Sequence, residues 1–181
     1  ALETLARTET FVFDKTGTLT IGKFEVSKII TTSEELSEKE LLRYTAALEQ
    51  NSEHPIASGI IQKANDLSIQ ITAAENFNAI TGKGIEATFE GKDIKVVSPG
   101  YLSDKRIAIP DNFQADATET VVFVLINSKL AGYISLSDQI RPESAEAIQT
   151  LHQINIKSVL LTGDNRKVAE TVAGKLGMDS F

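Results

Sequence analysis

The sequence predicts an α/β domain that is split by an inserted α+β domain. Two predominantly apolar runs, Thr10–Phe13 and Ile156–Leu161, are typical of parallel strands that are covered on both faces. Each run ends at a polar loop with a carboxylate, Asp14 in the first loop and Asp164 in the second. The long stretch between the runs has a different pattern, so we expect an insertion between two strands of one domain.

Asp14 lies at the C-terminal end of the first predicted strand, which is where open α/β sheets bind their ligands. A carboxylate held there can attack a phosphoryl group and form an aspartyl phosphate. In the loop that follows, Lys15 offsets negative charge, and Gly17 lets the backbone approach a phosphate closely. For the pair Phe13-Asp14 alone, a carboxylate that merely closes a strand in a polar turn is the favoured interpretation.

Composition and charge describe an acidic globular chain of 181 residues with a net charge of −7. An acidic chain has no electrostatic footprint for nucleic acid, so we expect no nucleic-acid partner. The sequence has no cysteine, which excludes disulfides and thiolate metal sites and fits a reducing cytosol. No apolar run approaches the ~18 residues of a membrane helix, and no signal peptide is visible.

Two helices are predicted in the insertion. Ser37 and Glu40 form a capping box, which places the start of a helix near Glu38. Pro55 suits the first turn of a second helix. The two helices form a hairpin whose polar elbow is the segment Glu49–Pro55.

Strands and irregular segments make up the rest of the insertion. Ile21–Lys23 is predicted to be a turn. The connection Tyr101–Ala117 is predicted to be irregular, with one helical turn and a turn at Pro110–Asn112. Six strands are expected from apolar patterning and turn residues: Phe24–Thr31, Ile69–Ile80, Ile85–Phe89, Ile94–Ser98, Glu119–Ile126 and Leu130–Leu136.

The last part of the chain returns to the α/β pattern. Pro142 begins a predicted helix, and His152 near its end is expected to be a half-exposed structural residue. The strand Ile156–Leu161 follows and ends in Thr162-Gly163-Asp164. By itself this tripeptide is an ordinary helix N-cap and turn.

The string Asp14-Lys15-Thr16-Gly17-Thr18-Leu19-Thr20 matches the phosphorylation motif of P-type ATPases at all seven positions. The resemblance implies that Asp14 accepts the γ-phosphate of ATP, and that Asp14 and the main-chain carbonyl of Thr16 hold Mg²⁺. The related haloacid-dehalogenase phosphatases have a second Asp, which serves as acid and base, at the position of Thr16. A threonine there removes a group that could activate water, so a longer-lived phosphoenzyme is expected.

The elbow residues Ser52-Glu53-His54-Pro55 resemble a motif of the heavy-metal-transporting, type IB, P-type ATPases. In that family the His contacts the adenine end of ATP, and a Glu five residues earlier is a hydrogen-bonding partner of adenine. The resemblance therefore assigns these roles to His54 and Glu49. Without it, a solvent-exposed cap is the favoured interpretation of His54.

Gly82 and Gly84 resemble the glycine loop of the same family's nucleotide domain, although a loop that needs positive φ is the alternative. The family often has a third glycine, where this chain has Ala87. Gly100, in Ser98–Tyr101, occupies the region of a family Gly-Asn pair. In these departures from the common family pattern the chain resembles the copper-transporting type B branch.

Thr162-Gly163-Asp164 matches the Thr-Gly-Asp motif of P-type ATPases. The resemblance implies that Thr162 hydrogen-bonds the transferred phosphoryl group and that Asp164 supports the Asp14 loop. Asp138 and Arg141 resemble the hinge at which the chain re-enters the phosphorylation domain. Because Asp14 and Thr162 need the same phosphate, their strands should be neighbours.

The resemblance implies a haloacid-dehalogenase-like, Rossmann-type phosphorylation domain, incomplete in this chain, at 1–22 and 138–181. A nucleotide-binding domain with an antiparallel sheet and helical hairpin is expected at 23–137. Together they would be the cytoplasmic ATP-binding and phosphorylation region of an integral membrane pump that exports a heavy metal, copper by the type B resemblance. ATP and Mg²⁺ are the implied ligands. The expected partners are the pump's transmembrane and actuator domains, and the transported metal would not bind this region.

Two other interpretations are a soluble haloacid-dehalogenase-type phosphatase and a non-catalytic nucleotide-binding module. Thr16 counts against the phosphatase. The affinity for ATP of the wild type compared with His54→Ala separates both nucleotide-binding interpretations from the phosphatase.

The family pattern continues with a Lys that stabilises transition-state charge and a Gly-Asp-Gly-x-Asn-Asp segment that completes the Mg²⁺ site. This chain ends at Phe181, before both. We therefore predict that it binds ATP mainly through the inserted domain and does not turn over. Capture of phosphoenzyme from labelled ATP at a normal rate would contradict this.

Overall fold

A computed structural model describes residues 8–110, 113, 116, 118–163 and 166–181. The chain divides into two compact units, one formed by the residues up to Gly22 and from Asp138 to Phe181, the other by Lys23–Ser137. The helices and strands of the described residues are, in chain order, β1 (Thr10–Asp14), β2 (Thr20–Thr31), α1 (Glu38–Glu49), α2 (Pro55–Asp66), β3 (Glu75–Ile80), β4 (Gly84–Phe89), β5 (Lys92–Val97), α3 (Pro99–Lys105), β6 (Glu119–Ile126), β7 (Lys129–Ile140), α4 (Pro142–Gln153), β8 (Lys157–Leu161) and α5 (Arg166–Leu176).

In the first unit, β1 and β8 pair in parallel, as predicted, with Asp14 opposite Leu161. Ser180 adds a parallel bridge to β8 beside Val159. His152 is half-exposed, and its Nε2 lies 2.9 Å from Oδ2 of Asp179. The predicted structural role of His152 is therefore confirmed, because it ties the end of α4 to the segment that follows α5.

Burial of these two strands on both faces was the wrong expectation. Val12 is 58% exposed and Leu161 is 61% exposed. Ser158 and Leu160 of β8 are buried. Within the described residues β1 and β8 form a two-stranded sheet, and no layer covers the side of β1 on which Val12 lies. The apolar character of β1 therefore does not show that its side chains are buried.

The second unit is built on a six-stranded sheet in the order β2-β7-β6-β5-β4-β3. β3 to β7 are joined by antiparallel pairing. Glu90 and Gly91 connect β4 and β5, both with positive φ (50° and 73°), which suits the tight twist of a two-residue hairpin. The predicted hairpin is thus confirmed, with its turn at the first two of the four expected residues.

Alternate residues of β6 supply two separate cores, one on each face of the sheet. Val122 and Val124 pack with the buried residues of α1 and α2. Phe123 packs instead with Leu102 of α3, with Tyr133 and with a partly buried aromatic ring at Phe113. The helical hairpin therefore covers one face of the sheet, and α3 with Ile107 and Phe113 covers the other.

Local side-chain caps begin both helices of the hairpin, as predicted. The N–H of Glu40 donates to Oγ of Ser37 over 3.2 Å, and the N–H of Ser37 donates to the Glu40 carboxylate over 3.0 Å. Pro55 occupies the first turn of α2, after His54 as N-cap. These signals succeed because they depend only on residues within one turn of the helix start.

Three local predictions differ from the structure. Ile21–Lys23 is not a turn but part of β2, in which Gly22 has a φ of 75°. The predicted strand Ile69–Ile80 is a strand only from Glu75 onwards, whereas Ile69 packs on the core from a loop. The helical turn expected within 101–117 is the longer helix α3, which begins earlier, at Pro99. The turn predicted at Pro110–Asn112 falls partly on residues outside the described ones.

We predict that Gly59→Ala destabilises the second unit. Gly59 lies in α2, and a Cβ there would be 2.1 Å from the carbonyl oxygen of Phe24. Overpacking against the backbone should lower the free energy of unfolding by about 1–3 kcal/mol. Alanine is the better helix former, but this gain is smaller than the loss. Urea unfolding followed by circular dichroism measures the change.

Gly174→Ala in α5 is the matched control, because a Cβ there meets nothing within 4 Å. It should raise stability by about 0.5–1 kcal/mol through helix propensity. A Gly59→Ala protein that is as stable as the control variant would contradict the close approach of α2 to β2.

Candidate functional site

Asp14 is the last residue of β1, and its side chain is exposed. The loop Lys15–Leu19 turns back at once, and the N–H of Thr20 donates to the carbonyl of Lys15. Gly17 has a φ of 77°, a conformation in which a larger residue is strained. The glycine predicted to let the backbone approach a ligand thus has a structural reason as well.

Thr20 and Asp138 anchor this loop. The Thr20 hydroxyl donates to Oδ2 of Asp138 over 2.6 Å, and it also lies 3.0 Å from the carbonyl oxygen of Lys15. The N–H of Gly17 donates to the same hydroxyl over 3.2 Å, and the N–H of Gly22 donates to Oδ1 of Asp138 over 3.0 Å. Thr20 is 1% exposed, so these bonds are shielded from water on the threonine side.

Two residues at the start of α4 complete the anchor. The Nε–H of Arg141 donates to the carbonyl of Thr20 over 3.1 Å, and Nη2 donates to the carbonyl of Gly17 over 3.2 Å. The Ser144 hydroxyl donates to the carbonyl of Leu19 over 2.9 Å. The sequence pattern identified Asp138 and Arg141 as a hinge, but nothing in it indicated Ser144.

The end of β8 lies beside the end of β1. Leu161 is the register partner of Asp14, so Thr162 and Gly163 begin the loop that follows next to Asp14's strand end. The carboxyl ends of parallel strands share one edge of a sheet, and this edge therefore holds the predicted residues Asp14, Lys15, Thr16, Thr162 and Gly163. Asp164 lies outside the described residues.

The second unit has a cavity of about 520 Å³. This volume is in the range of small-molecule sites, which are mainly apolar with a few polar groups. Its polar side chains include those of Glu49, Ser52 and His54. The rest of the wall is contributed by Ile56, the turn Ala79–Lys83, the starts of β4 and β6, and the end of β5 with Ser98 and Pro99.

Glu49 is the buried acid of this cavity. Glu49 is 2% exposed, and its Oε2 has no hydrogen-bond partner among the described residues. Burial raises the pKa of Glu49 to about 7, and a hydrogen bond from Ser52 opposes this rise. A buried acid without a counter-charge resists ionisation because its charged form is desolvated.

His54 is exposed and caps α2, since its Nδ1 accepts a hydrogen bond from the N–H of Ile56 over 3.3 Å. In a neutral imidazole with this cap, the proton is on Nε2, which is then a donor. The capping interpretation and the nucleotide-binding interpretation are therefore compatible.

The predicted glycines have unequal surroundings. Gly82 has a φ of 65° and open space at its Cβ position, whereas a Cβ on Gly84 would be 2.1 Å from the carbonyl oxygen of Val96. Both line the cavity, but Gly100 is not among the residues lining it. Lys83 lines it without having been predicted, and its Nζ forms an ion pair with Asp104 over 2.8 Å.

A family model described as haloacid dehalogenase-like hydrolase matches residues 8–181. This match covers almost all of the chain. The chain belongs to the haloacid dehalogenase-like hydrolases.

Individual relatives of this haloacid dehalogenase-like chain are heavy-metal P-type ATPases. The copper-exporting P-type ATPase B of Archaeoglobus fulgidus is 45% identical over 100% of this chain and 26% of its own length. The zinc/cadmium/lead-transporting P-type ATPase of Shigella sonnei is 40% identical over 99% of this chain and 24% of its own length. The chain thus spans about a quarter of the length of these curated relatives.

Solved structures agree with this similarity. A zinc-transporting PIB-type ATPase in an E2.Pi state superposes with a TM-score of 0.78 and 36% identity, covering 100% of this chain and 30% of that chain. The catalytic domain of the CPx-ATPase CopB-B gives a TM-score of 0.74 at 25% identity, covering 99% of this chain and 62% of that chain. The predicted resemblance to heavy-metal P-type ATPases is confirmed. None of the described helices is long and apolar enough to span a membrane.

We predict that Thr20→Val loosens the Asp14 loop of this haloacid dehalogenase-like domain. Valine has the same shape but cannot bond Asp138, so buried polar partners lose a contact and about 1–3 kcal/mol of unfolding free energy should be lost. Faster amide hydrogen exchange at Gly17 and Gly22 should accompany the loss.

Thr18→Val is the control, because Thr18 is exposed in the same loop and the change should stay within about 0.5 kcal/mol. Equal effects of the two substitutions on stability and exchange would show that the Thr20–Asp138 bond does not anchor the loop.

We also predict that the stability of the second unit depends on pH through Glu49. Its pKa is raised from 4.5 to about 7, so between these values the folded state binds more protons than the unfolded state. Stability therefore falls as pH rises, by about 2–3 kcal/mol from pH 5 to pH 8 for this group. Urea unfolding at both pH values measures the fall.

Glu49→Gln should remove this part of the pH dependence, because glutamine does not titrate. Glu53→Gln changes an exposed acid of the same elbow and should leave the pH dependence as in the wild type. A wild type and a Glu49→Gln variant with parallel pH profiles would contradict the prediction.

Proposed function

We propose that this chain is the ATP-binding and phosphorylation region of an ATP-driven heavy-metal export pump, in which Asp14 accepts the γ-phosphate. The observation that carries the proposal is the seven-residue motif Asp14–Thr20 at the end of β1, beside the strand end that leads to Thr162. Copper is the proposed ion, supported by 45% identity to a copper-exporting relative.

In the proposed reaction, a carboxylate oxygen of Asp14 attacks the γ-phosphorus of ATP in line. A bond forms between that oxygen and phosphorus while the bond to the bridging oxygen breaks, and ADP leaves with the electron pair. Lys15 offsets negative charge at the end of β1, and the Thr162 hydroxyl donates a hydrogen bond to the transferred group. Thr16 cannot act as acid or base, so the aspartyl phosphate is not hydrolysed by its neighbour.

The residues at the end of β1 fit a magnesium ion. Mg²⁺ is held by one or two protein oxygens, with water and phosphate completing its shell, and no cluster of three ligating side chains occurs in the described residues. The carboxylate of Asp14 and the main-chain carbonyl of Thr16 would hold the ion, which when bound neutralises phosphate charge.

The second unit is the proposed nucleotide-binding domain, with adenine in the 520 Å³ cavity. Its apolar walls suit a planar base, and Glu49 and His54 supply the polar groups that fix orientation. Gly82 and Gly84 allow the backbone of the turn to lie against the nucleotide. Gly100 is assigned a supporting role beside the cavity, next to Pro99.

The proposed setting is the cytoplasmic side of an integral membrane protein, whose transmembrane and actuator domains would be the partners of this region. The curated relatives are about four times as long as the aligned region, which leaves room for those domains in them. In this proposal the transported ion binds in the membrane part of the pump and not in this region.

We predict that His54→Ala weakens ATP binding about 10- to 100-fold, as the loss of one directed contact worth about 1–3 kcal/mol implies. Isothermal titration calorimetry measures the affinity. His54→Asn is the matched variant, because asparagine caps a helix well but lacks the imidazole.

If His54→Asn binds as weakly as His54→Ala, the imidazole itself contacts the nucleotide. Wild-type affinity in the asparagine variant would reduce His54 to a cap, and unchanged ATP affinity in both variants would overturn the proposed nucleotide site.

A further inference from the structure

The acid in the cavity has an unmet hydrogen-bonding capacity. Glu49 is 2% exposed, and Oε2 has no partner in the part of the chain that the structure describes. The other side of the carboxyl group is engaged by Ser52, whose Oγ in turn accepts the N–H of His54 over 3.3 Å. A buried polar atom without a partner is costly unless a ligand satisfies it.

No cation among the described residues that line the cavity balances this acid. Of the residues that line the cavity, His54 and Lys83 are the ones besides Glu49 with a basic or acidic side chain. Lys83 is paired with Asp104, and neither cavity residue contributes to the raised pKa of Glu49, which burial causes. The lining residues of α2, β4, β5 and β6 are uncharged.

We propose that Glu49 recognises adenine as a neutral carboxylic acid, so that nucleotide binding takes up a proton near neutral pH. This inference rests on the proposed function, because it assumes that adenine is the occupant of the cavity. In the complex the acid O–H donates to a ring nitrogen of the base, and the carbonyl oxygen accepts a hydrogen from the exocyclic amine.

The chemistry of the base favours the neutral acid. Adenine presents a donor, the N6 amine, next to an acceptor such as N7, which is why the donor and acceptor of an Asn or Gln amide match it. A neutral carboxylic acid has the same pair of groups, whereas a carboxylate only accepts and would face the ring nitrogen lone pair. Guanine presents two adjacent acceptors, N7 and O6, on the corresponding edge and lacks this match.

The consequence is a pH-dependent affinity. With a pKa of about 7 in the free protein, most of the population is protonated at pH 6 and about a tenth is protonated at pH 8. If the neutral form is the binding form, the affinity for an adenine ligand should be about tenfold lower at pH 8 than at pH 6.

Calorimetric titration of the whole chain with adenosine tests this, because adenosine has no phosphate that titrates in this range. The wild type should lose about tenfold in affinity from pH 6 to pH 8 and should take up about half a proton per adenosine at pH 7. Proton uptake is obtained by repeating the titration in buffers of different ionisation enthalpy. Guanosine should bind more weakly than adenosine at pH 6.

Glu49→Gln should bind adenosine equally at both pH values, with an affinity near that of the wild type at pH 6, because its amide imitates the neutral acid. Glu53→Gln should keep the wild-type pH dependence. His54 is present in all three proteins, so any dependence that survives in Glu49→Gln belongs to another group. Thermal unfolding of each variant confirms that it is folded.

Equal wild-type affinity at pH 6 and pH 8 without proton uptake would overturn the inference while leaving the nucleotide site in place. Loss of adenosine binding in a folded Glu49→Gln variant at both pH values would also overturn it, because the ionised acid would then be the binding form. Failure of the wild type to bind either adenosine or ATP at any pH would instead refute the proposed function.

Discussion

The hydrogen bond between the Thr20 hydroxyl and the Asp138 carboxylate is the contact on which the arrangement of the Asp14 loop depends most. Over 2.6 Å, it joins a residue two positions before the chain leaves the first unit at Gly22 to Asp138, the residue at which the chain returns. The same carboxylate also accepts the N–H of Gly22. An insertion is compatible with one folded domain only when its ends are held close together, and this pair of residues holds them.

The hydrogen bonds around Thr20 also hold in place the loop Lys15–Leu19, which follows Asp14. Gly17 and Lys15 contact the Thr20 hydroxyl from one side, and Arg141 binds carbonyl groups of the loop from the other. These bonds engage several backbone groups of this short loop and so restrict its motion. An attacking carboxylate benefits from this arrangement because its position is set before the substrate binds.

The cavity in the second unit differs from the Asp14 loop, because the hydrogen bonding of its buried acid is incomplete in the described residues. Glu49 is buried at the end of α1, and one of its oxygens has no partner in the described part of the chain; this arrangement destabilises the unit whenever the acid is ionised. A local loss of stability of this kind is typical of functional sites, where buried polar groups bind a ligand instead of forming hydrogen bonds with one another.

Local sequence patterns correctly predicted those structural features whose stabilising contacts lie within a few residues along the chain. The capping box of Ser37 and Glu40 and the hairpin at Glu90-Gly91 are examples. Ile21–Lys23 could not be predicted in this way, because Gly22 remains in β2 through a bond to Asp138, which is distant in the sequence. The exposure of Val12 could not be predicted either, because the apolar pattern of a strand does not indicate whether another layer packs against it.

The sequence by itself determined which residues are candidates for chemistry in this protein. It predicted a nucleophile at Asp14, a threonine in place of a second acid, and the acid and imidazole of the elbow, because these are residue identities at short spacing. Only the tertiary structure decided how that chemistry is tuned. Burial of Glu49, the approach of Lys83 and β6 to the cavity, and the bonds of Arg141 and Ser144 to the Asp14 loop all arise from residues brought together over long sequence distances.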